Sequence, residues 1–255
     1  MKEIGLQLWS VRNGTGTEEA IKENFPKLRA MGYTQVQTAD VTIPYERFGE
    51  LAKEAGLQIV GMDEGFDLME SDMAKVADQC RALNTKIIVC GFRPKEPTPE
   101  LWEDFIARAN RVADRAASYG LKYCYHNHSH EYIRLSNGKT PMEMLKETLN
   151  TNAGFCLDTY WVQHGGGDVR SWIEKLAGRI EILHIKDMQR LPHFKEKTGY
   201  QMYTEVGSGN MEWPPILAAA EKAGVRFFVV EQDETPGDAM VSMQKSADYM
   251  KRFIN

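Results

Sequence analysis

Four short stretches carry most of the side chains able to do chemistry: Tyr125-His126-Asn127-His128-Ser129-His130-Glu131, Leu157-Asp158-Thr159-Tyr160-Trp161, His184-Ile185-Lys186-Asp187 and Glu231-Gln232-Asp233. Each alone has a plain structural reading. An Asp after an apolar run caps the next helix, and a His between Leu183 and Ile185 is a satisfied core residue. Brought to one level on neighbouring strands they read differently, because carboxylates converging on one point repel unless a cation joins them. Mixed imidazole and carboxylate donors suit one divalent ion, Mn²⁺, Zn²⁺, Co²⁺, Mg²⁺ or Fe²⁺, over a metal that prefers thiolates, and the donors by themselves do not choose among these. Alternation along a strand puts Lys186 on the same face as His184, so its ammonium is expected at the same mouth.

Something must hold these stretches side by side, and the apolar patterning supplies it. Segments of strand length alternate with helical patterns eight times: Glu3–Val11 then Thr17–Gly32; Thr34–Thr38 then Tyr45–Ala55; Leu57–Met62 then Ser71–Leu83; Lys86–Gly91 then Pro99–Tyr119; Leu121–His128 then Pro141–Leu149; Gly154–Trp161 then Val169–Leu176; Ile180–Asp187 then Pro214–Ala223; and Arg226–Gln232 then Asp238–Phe253. Helices close on Gly32, Gly56, Asn84 and Gly120, and Thr17 is placed to cap the first. Near-continuous apolar runs such as KIIVC and FFVVE fit parallel strands covered on both faces. The expected fold is a (β/α)8 TIM barrel, one domain over 1–255, with the chemistry at the C-terminal strand ends. A doubly wound sheet fits less well, since Val11–Gly16 is neither a dinucleotide-binding turn nor a P-loop.

Composition removes other classes. A net charge of −5 leaves no positive field for a duplex or an anionic membrane, so neither nucleic acid nor lipid is an expected partner. No apolar run reaches the ~18 to 20 residues of a membrane helix, and MKEIGLQLWS has no signal-like core. Cys80, Cys90, Cys124 and Cys156 are isolated singles in apolar surroundings, which predicts buried thiols in a reducing compartment, the cytoplasm. The aromatics Phe194, Tyr200 and Tyr203 are expected at a rim, either against a second subunit in a homo-oligomer or as a lid. Gly207-Ser208-Gly209 is either a phosphate-binding turn or, as favoured, a tight turn before Trp213-Pro214-Pro215.

The ordered set GLQLWSVR, H-N-H-x-x-E from His126 to Glu131, L-D-T-Y-W from Leu157, H-I-K-D from His184, G-S-G-x-x-x-W from Gly207 and V-V-E-Q-D from Val229 resembles the sugar phosphate isomerase/epimerase superfamily of xylose isomerase-like barrels. That resemblance implies one divalent metal on Asp158, His184, Glu231 and a residue of the fifth strand. Ketose epimerases carry glutamate at the last position. Here His126 takes the nearest placement, and Glu131 is the alternative ligand or an acid/base group. The resemblance also places Arg190 at substrate oxygens and puts Trp161 where epimerases have histidine, and Asp63 where many relatives have one at the third strand's end.

The implied activity is isomerisation or epimerisation of a sugar, keto-sugar or sugar phosphate through an enediolate. Glu231 and a fifth-strand group, His126, His128 or Glu131, move the proton, and Lys186 stabilises an oxyanion or protonates a departing oxygen. The same intermediate expels a hydroxyl or glycosyl group in a keto-sugar dehydratase or lyase, the alternative that a histidine at position 126 strengthens. Trp9 and Trp161 are candidates to stack on a sugar ring. An abasic-site nuclease, an amidohydrolase and a non-catalytic barrel fit the charge and histidine placement less well.

Overall fold

Runs of Val, Ile, Leu, Cys and Tyr that are apolar on both faces pair best when both faces are covered, and all eight assemble that way. A computed structural model describes residues 1, 3–190 and 202–254. The strands are β1 (Gly5–Gln7), β2 (Gln35–Gln37), β3 (Gln58–Asp63), β4 (Ile87–Cys90), β5 (Lys122–His126), β6 (Ala153–Asp158), β7 (Ile180–Ile185) and β8 (Phe227–Val230). All pair in parallel, each with its sequence neighbour, and β1 pairs with both β2 and β8 to close the barrel.

Inside the barrel, Val60, Ile87, Val89, Cys124, Cys156, Ile182 and Val229 pack into their own apolar cluster. The outward face of each strand meets the helices: α1 (Glu18–Met31), α2 (Tyr45–Glu54), α3 (Phe66–Ser71), α4 (Met73–Ala82), α5 (Pro99–Ser118), α6 (Pro141–Thr148), α7 (Thr159–His164), α8 (Val169–Lys175), α9 (Trp213–Lys222) and α10 (Ala239–Met250). The helices start where the sequence indicates. Thr17 Oγ1 accepts from Ala20 N, and Thr140 with Glu143 forms a reciprocal cap on α6. Gly32, Gly56, Asn84 and Gly120 all have positive φ just past helices, the left-handed turn expected of them.

Several strands end sooner than the apolar runs suggest, each because a polar side chain captures backbone. β1 stops at Gln7, whose side chain accepts from Trp9 N and starts a 3-10 turn over Leu8–Gly14. β6 stops at Asp158, which caps α7 by accepting from Trp161 N, so Thr159–Trp161 are helical and not strand. The expected helix Ser71–Leu83 is α4, and an additional helix, α3, precedes it, separated from it at Asp72, which leaves helical geometry to cap α4. After β7, Asp187–Met188 leaves the barrel and pairs antiparallel with Tyr203–Thr204.

All four cysteines are buried free thiols, and burial pushes Cys80 and Cys90 up to about 12. Among the described residues no helix is long and apolar enough to cross a membrane. Phe194 and Tyr200 lie outside the described residues. Tyr203 is no exposed rim residue: it is buried against Tyr160 and Trp161, with ring centroids 4.7 and 6.1 Å away.

Candidate metal centre

The registers of β5, β6, β7 and β8 bring four chemically active strand ends together. His126 aligns with Cys156, Asp158 aligns with His184, and Glu231 N donates to Ile185 O at 3.1 Å just beyond β8. Two buried polar side chains lock this level. Asn127 accepts from Asp158 N (2.9 Å) through its Oδ1, while Thr159 Oγ1 donates to the carbonyls of His184 and Lys186 (3.0 and 2.9 Å) and accepts from Lys186 N. Neither emerges from the sequence as a site residue, because a single Asn or Thr beside a strand is unremarkable until its partner strand is known.

One donor atom from each of His126, Asp158, His184 and Glu231 lies within 4.8 Å of the other three. The separations are 3.6 Å from His126 Nε2 to Asp158 Oδ2, 3.8 Å from His184 Nδ1 to Asp158 Oδ2 and 3.0 Å from His184 Nδ1 to Glu231 Oε2. Two donors each about 2.1 Å from a common ion are about 3 to 4 Å apart, so the spacing matches. His126 Nε2, Asp158 Oδ2 and His184 Nδ1 are all buried without a hydrogen-bond partner, the condition of atoms shaped for a ligand that protein does not supply. His184 Nε2 meets Gln37 Oε1 at 2.9 Å; donating there, it turns Nδ1 inward. Charge agrees too. Asp158, Glu231 and Asp233 surround one ammonium, that of Lys186, leaving an imbalance that a divalent ion cancels. The residues present fit a divalent metal.

Glu131 is not in this group. Its buried carboxylate accepts from Tyr125 Oη (2.6 Å) and His128 N (2.8 Å), which holds the turn after β5 rigid. Of the two fifth-strand residues, therefore, the fold brings only His126 to the other three. Burial pushes Glu131 up despite those bonds, and it pushes His128 down further, with His126 adding to the effect, so the His128 imidazole is neutral. Its ring lies over Gly91, where a Cβ would come within 2.8 Å of His128 Cε1; that glycine makes room for it.

Lys186 is 1% exposed, and its Nζ contacts Asp233 Oδ1 at 2.6 Å, Glu231 Oε2 at 3.1 Å and Asp158 Oδ2 at 3.5 Å. It also sits over Tyr160, Trp161 and Tyr203, with Nζ 5.1 to 5.8 Å from the three ring centroids. Burial alone would push its pKa down, but the three carboxylates outweigh that and raise it well above the usual lysine range. In turn Lys186 outweighs the burial of Asp158 and Glu231 and, with the imidazoles, holds both carboxyls below their ordinary values. An ammonium held that tightly is a fixed cation.

A cavity of about 570 Å³ opens over this group, lined on one side by His126, His128, Trp161, Lys186, Glu231 and Asp233 and on the other by Trp9, Ala39, Asp40, Val41, Tyr45, Asp63 and Glu64. Trp9 and Trp161 thus both reach it. Arg190 is exposed beyond the Asp187–Met188 strand and is not among the lining residues. A further unit was missed: Gln7 and Gln37, paired across β1 and β2, donate to Asp63 Oδ2 (2.5 Å) and Oδ1 (3.0 Å). Its signal in the sequence is a glutamine ending each of two very short strands.

The Gly207–Gly209 turn binds no phosphate, because its N–H groups are used internally. Gly207 N and Gly209 N donate to Asp187 Oδ2, joined by Met188 N, Met211 N and Trp213 Nε1 on the same carboxylate, and no Cβ fits at Gly209 beside it. Replacing Asp187 with Asn turns an amide N–H₂ against donors. We expect a loss of about 2 to 4 kcal/mol with metal content unchanged. Thermal melts with metal analysis check this, and an unchanged melting temperature would remove Asp187 as the anchor of this loop.

Comparison with known proteins agrees with this architecture. Residues 25–253 match the model of the xylose isomerase-like TIM barrel family. An inosose dehydratase of Geobacillus thermodenitrificans is 26% identical over 152 residues, 56% of this chain and 50% of that protein, so the chain spans about half the length of the relative it matches. A sugar phosphate isomerase/epimerase from Parabacteroides distasonis superposes with a TM-score of 0.85 at 21% identity, covering 98% of this chain and 93% of that one. The zinc-bound IolI protein superposes at 0.73 and 14% identity, over 99% and 98%. With the matched region covering most of the sequence and the closed barrel in place, the chain belongs to the xylose isomerase-like TIM barrel family.

Proposed function

We propose that this protein is a metal-dependent carbon–oxygen lyase that enolises an uncharged keto-sugar or keto-cyclitol and eliminates the substituent β to the ketone. The carrying observation is at β5: an imidazole, His126, joins the ligand group while Glu131 is committed to Tyr125 and His128 N. The cavity therefore lacks, among the described residues, a fifth-strand glutamate to oppose Glu231 in a two-sided proton transfer. The inosose dehydratase relative supports the same outcome, since its name describes loss of water from a keto-cyclitol.

His126, Asp158, His184 and Glu231 would hold the divalent ion, with Mn²⁺ the metal we would supply first. When bound, it supplies Lewis-acid stabilisation of the charge that develops on a ketone oxygen. Lys186 adds a fixed positive charge beside the same carboxylates. We assign to His128, which lines the cavity and whose Nδ1 is unpartnered, the proton from the carbon next to the ketone; the negative charge developing on the substrate beside it offsets the burial that pushes its imidazole down. The released electron pair forms the carbon–carbon double bond as the bond from the β carbon to its oxygen breaks. Trp161, above Lys186, closes the ring-binding floor. Substrate charge follows from the lining. Among the described residues, Asp40, Asp63, Glu64 and Asp233 face this space with Lys186 as the only ammonium or guanidinium, which disfavours a phosphate.

A second reading, isomerisation or 3-epimerisation, rests on Glu231, which is ionised, lines the cavity and would return the proton to carbon. Proton NMR in D₂O separates the two, using the Mn²⁺-loaded protein with inososes, ketoses and 3-keto-glycosides and Asp158→Ala as the blank. Loss of the β substituent with an unsaturated ketone is the expected result. Deuterium incorporation with a new isomer and no elimination would replace it by the second reading, and no exchange with any of them would remove both.

A further inference from the structure

Building on the elimination reading, we infer that the wall carried by β1, β2 and β3 is the leaving-group side of the cavity: Trp9 and Tyr45 receive a ring-bearing leaving group, and Asp63 protonates its departing oxygen. The ligand group and Lys186 come from β5 to β8, so the wall from β1 to β3 is what remains to contact the substituent.

Room is the first argument. A six-carbon ring with its hydroxyls displaces roughly six waters, about 180 Å³ at about 30 Å³ each, whereas the cavity measures about 570 Å³. A second ring fits beside the first.

The build of the wall is the second. Trp9 is 38% exposed, an unusual state for a tryptophan, yet it is held firmly. Trp9 N donates to Gln7 Oε1 (3.1 Å), and the Arg12 guanidinium stacks 4.3 Å from the indole centroid. Arg12 is itself pinned to Trp9 O (2.8 Å) and Asp233 O (2.7 Å) and does not line the cavity, so it backs the indole and leaves the cavity side for a ligand. Val41 and Tyr45 extend the apolar surface. An aromatic face fixed in advance stacks on a ring without spending side-chain entropy.

The third argument is Asp63. Both of its oxygens are held by neutral amides, Gln7 and Gln37, and among the described residues no cation lies within ion-pair distance of it, whereas Lys186 lies against Asp158, Glu231 and Asp233. Gln37 in turn meets His184, which ties Asp63 to the ligand group through one intervening side chain. Loss of solvent pushes the carboxyl up to about 6 against the pull of His126 and His184, so the acid form is accessible near neutrality. The step balances: the carbon–hydrogen proton goes to His128, the carbon–oxygen bond breaks, its oxygen takes the Asp63 proton, and solvent restores both groups.

The test uses the Mn²⁺-loaded protein and three probes: methyl 3-keto-β-glucoside, whose leaving group requires a proton; 4-nitrophenyl 3-keto-β-glucoside, whose phenolate leaves without one; and a 3-keto-disaccharide. For Asp63→Asn and Asp63→Ala, with metal content verified, kcat on the methyl probe should fall at least tenfold more than on the nitrophenyl probe. Equal losses on both would overturn the acid role, because a structural defect ignores leaving-group chemistry. Trp9→Ala should raise KM about tenfold for the ring-bearing probes and less for the methyl probe; the same shift for all three would overturn the stacking site. A wild-type KM lower for the disaccharide assigns a sugar leaving group, and a KM lower for the nitrophenyl probe an aromatic alcohol. Wild-type enzyme that eliminates water from an inosose but eliminates from none of the three would overturn the leaving-group site and leave the elimination reading standing; enzyme that does neither would overturn the elimination reading itself.

Discussion

Asp158→Asn should release the divalent ion and abolish turnover while the barrel stays folded. Asp158 Oδ2 is the common neighbour of both histidines and of Lys186, at 3.6, 3.8 and 3.5 Å. Its Oδ1 caps α7, a bond that the Asn carbonyl reproduces. The substitution therefore removes charge and one donor with little change of shape. Loss of an outer partner of a metal site costs about 10- to 100-fold in affinity, and loss of a central charged donor should exceed that. Metal analysis after dialysis checks the affinity, and circular dichroism checks the fold. A variant that retains stoichiometric metal would sink the proposed ligand set, whatever its activity.

The second large effect concerns stability. Lys186→Met keeps the length and apolar stem of the side chain but leaves Asp158, Glu231 and Asp233 without their shared cation in a buried space. Breaking a buried ion pair from one side costs about 3 to 5 kcal/mol. At about 2 to 4 °C per kcal/mol for a chain of this size, the metal-free variant should melt roughly 6 to 20 °C lower. Added Mn²⁺ should recover part of the loss, because a divalent ion would restore positive charge to two of the same carboxylates. Differential scanning calorimetry with and without metal reads both effects. A metal-free melting temperature within about 2 °C of wild type would contradict the charge balance drawn here.

These expectations draw on two kinds of information in different proportions. The barrel was legible because eight alternations of apolar strand and amphipathic helix leave few ways to cover both faces of every strand. Asp158, His184, Glu231 and Lys186 were legible for a related reason: polar groups at the ends of buried strands must meet something. Boundaries were harder to read. Thr159–Trp161 continue the apolar run of β6, and only the capture of Trp161 N by Asp158 turns them into a helix.

The choice between His126 and Glu131 shows what tertiary structure alone decides. His126 ends β5 and Glu131 follows it within a few residues, and both are good donors. Glu131 is taken out of contention by Tyr125, whose hydroxyl reaches it from within the strand, and by His128 N in the same tight turn. The glycine turn at 207–209 is similar, since its N–H groups suit a phosphate until Asp187 is seen to occupy them. The Gln7–Asp63–Gln37 unit joins three strands whose members are dozens of residues apart. Composition and periodicity determined the barrel and the level at which its chemistry sits, because they act through local pattern and burial. The partner of each polar group was decided only by strand register and loop path, because a hydrogen bond requires its atoms within about 3 Å, a condition that spacing along the chain does not encode.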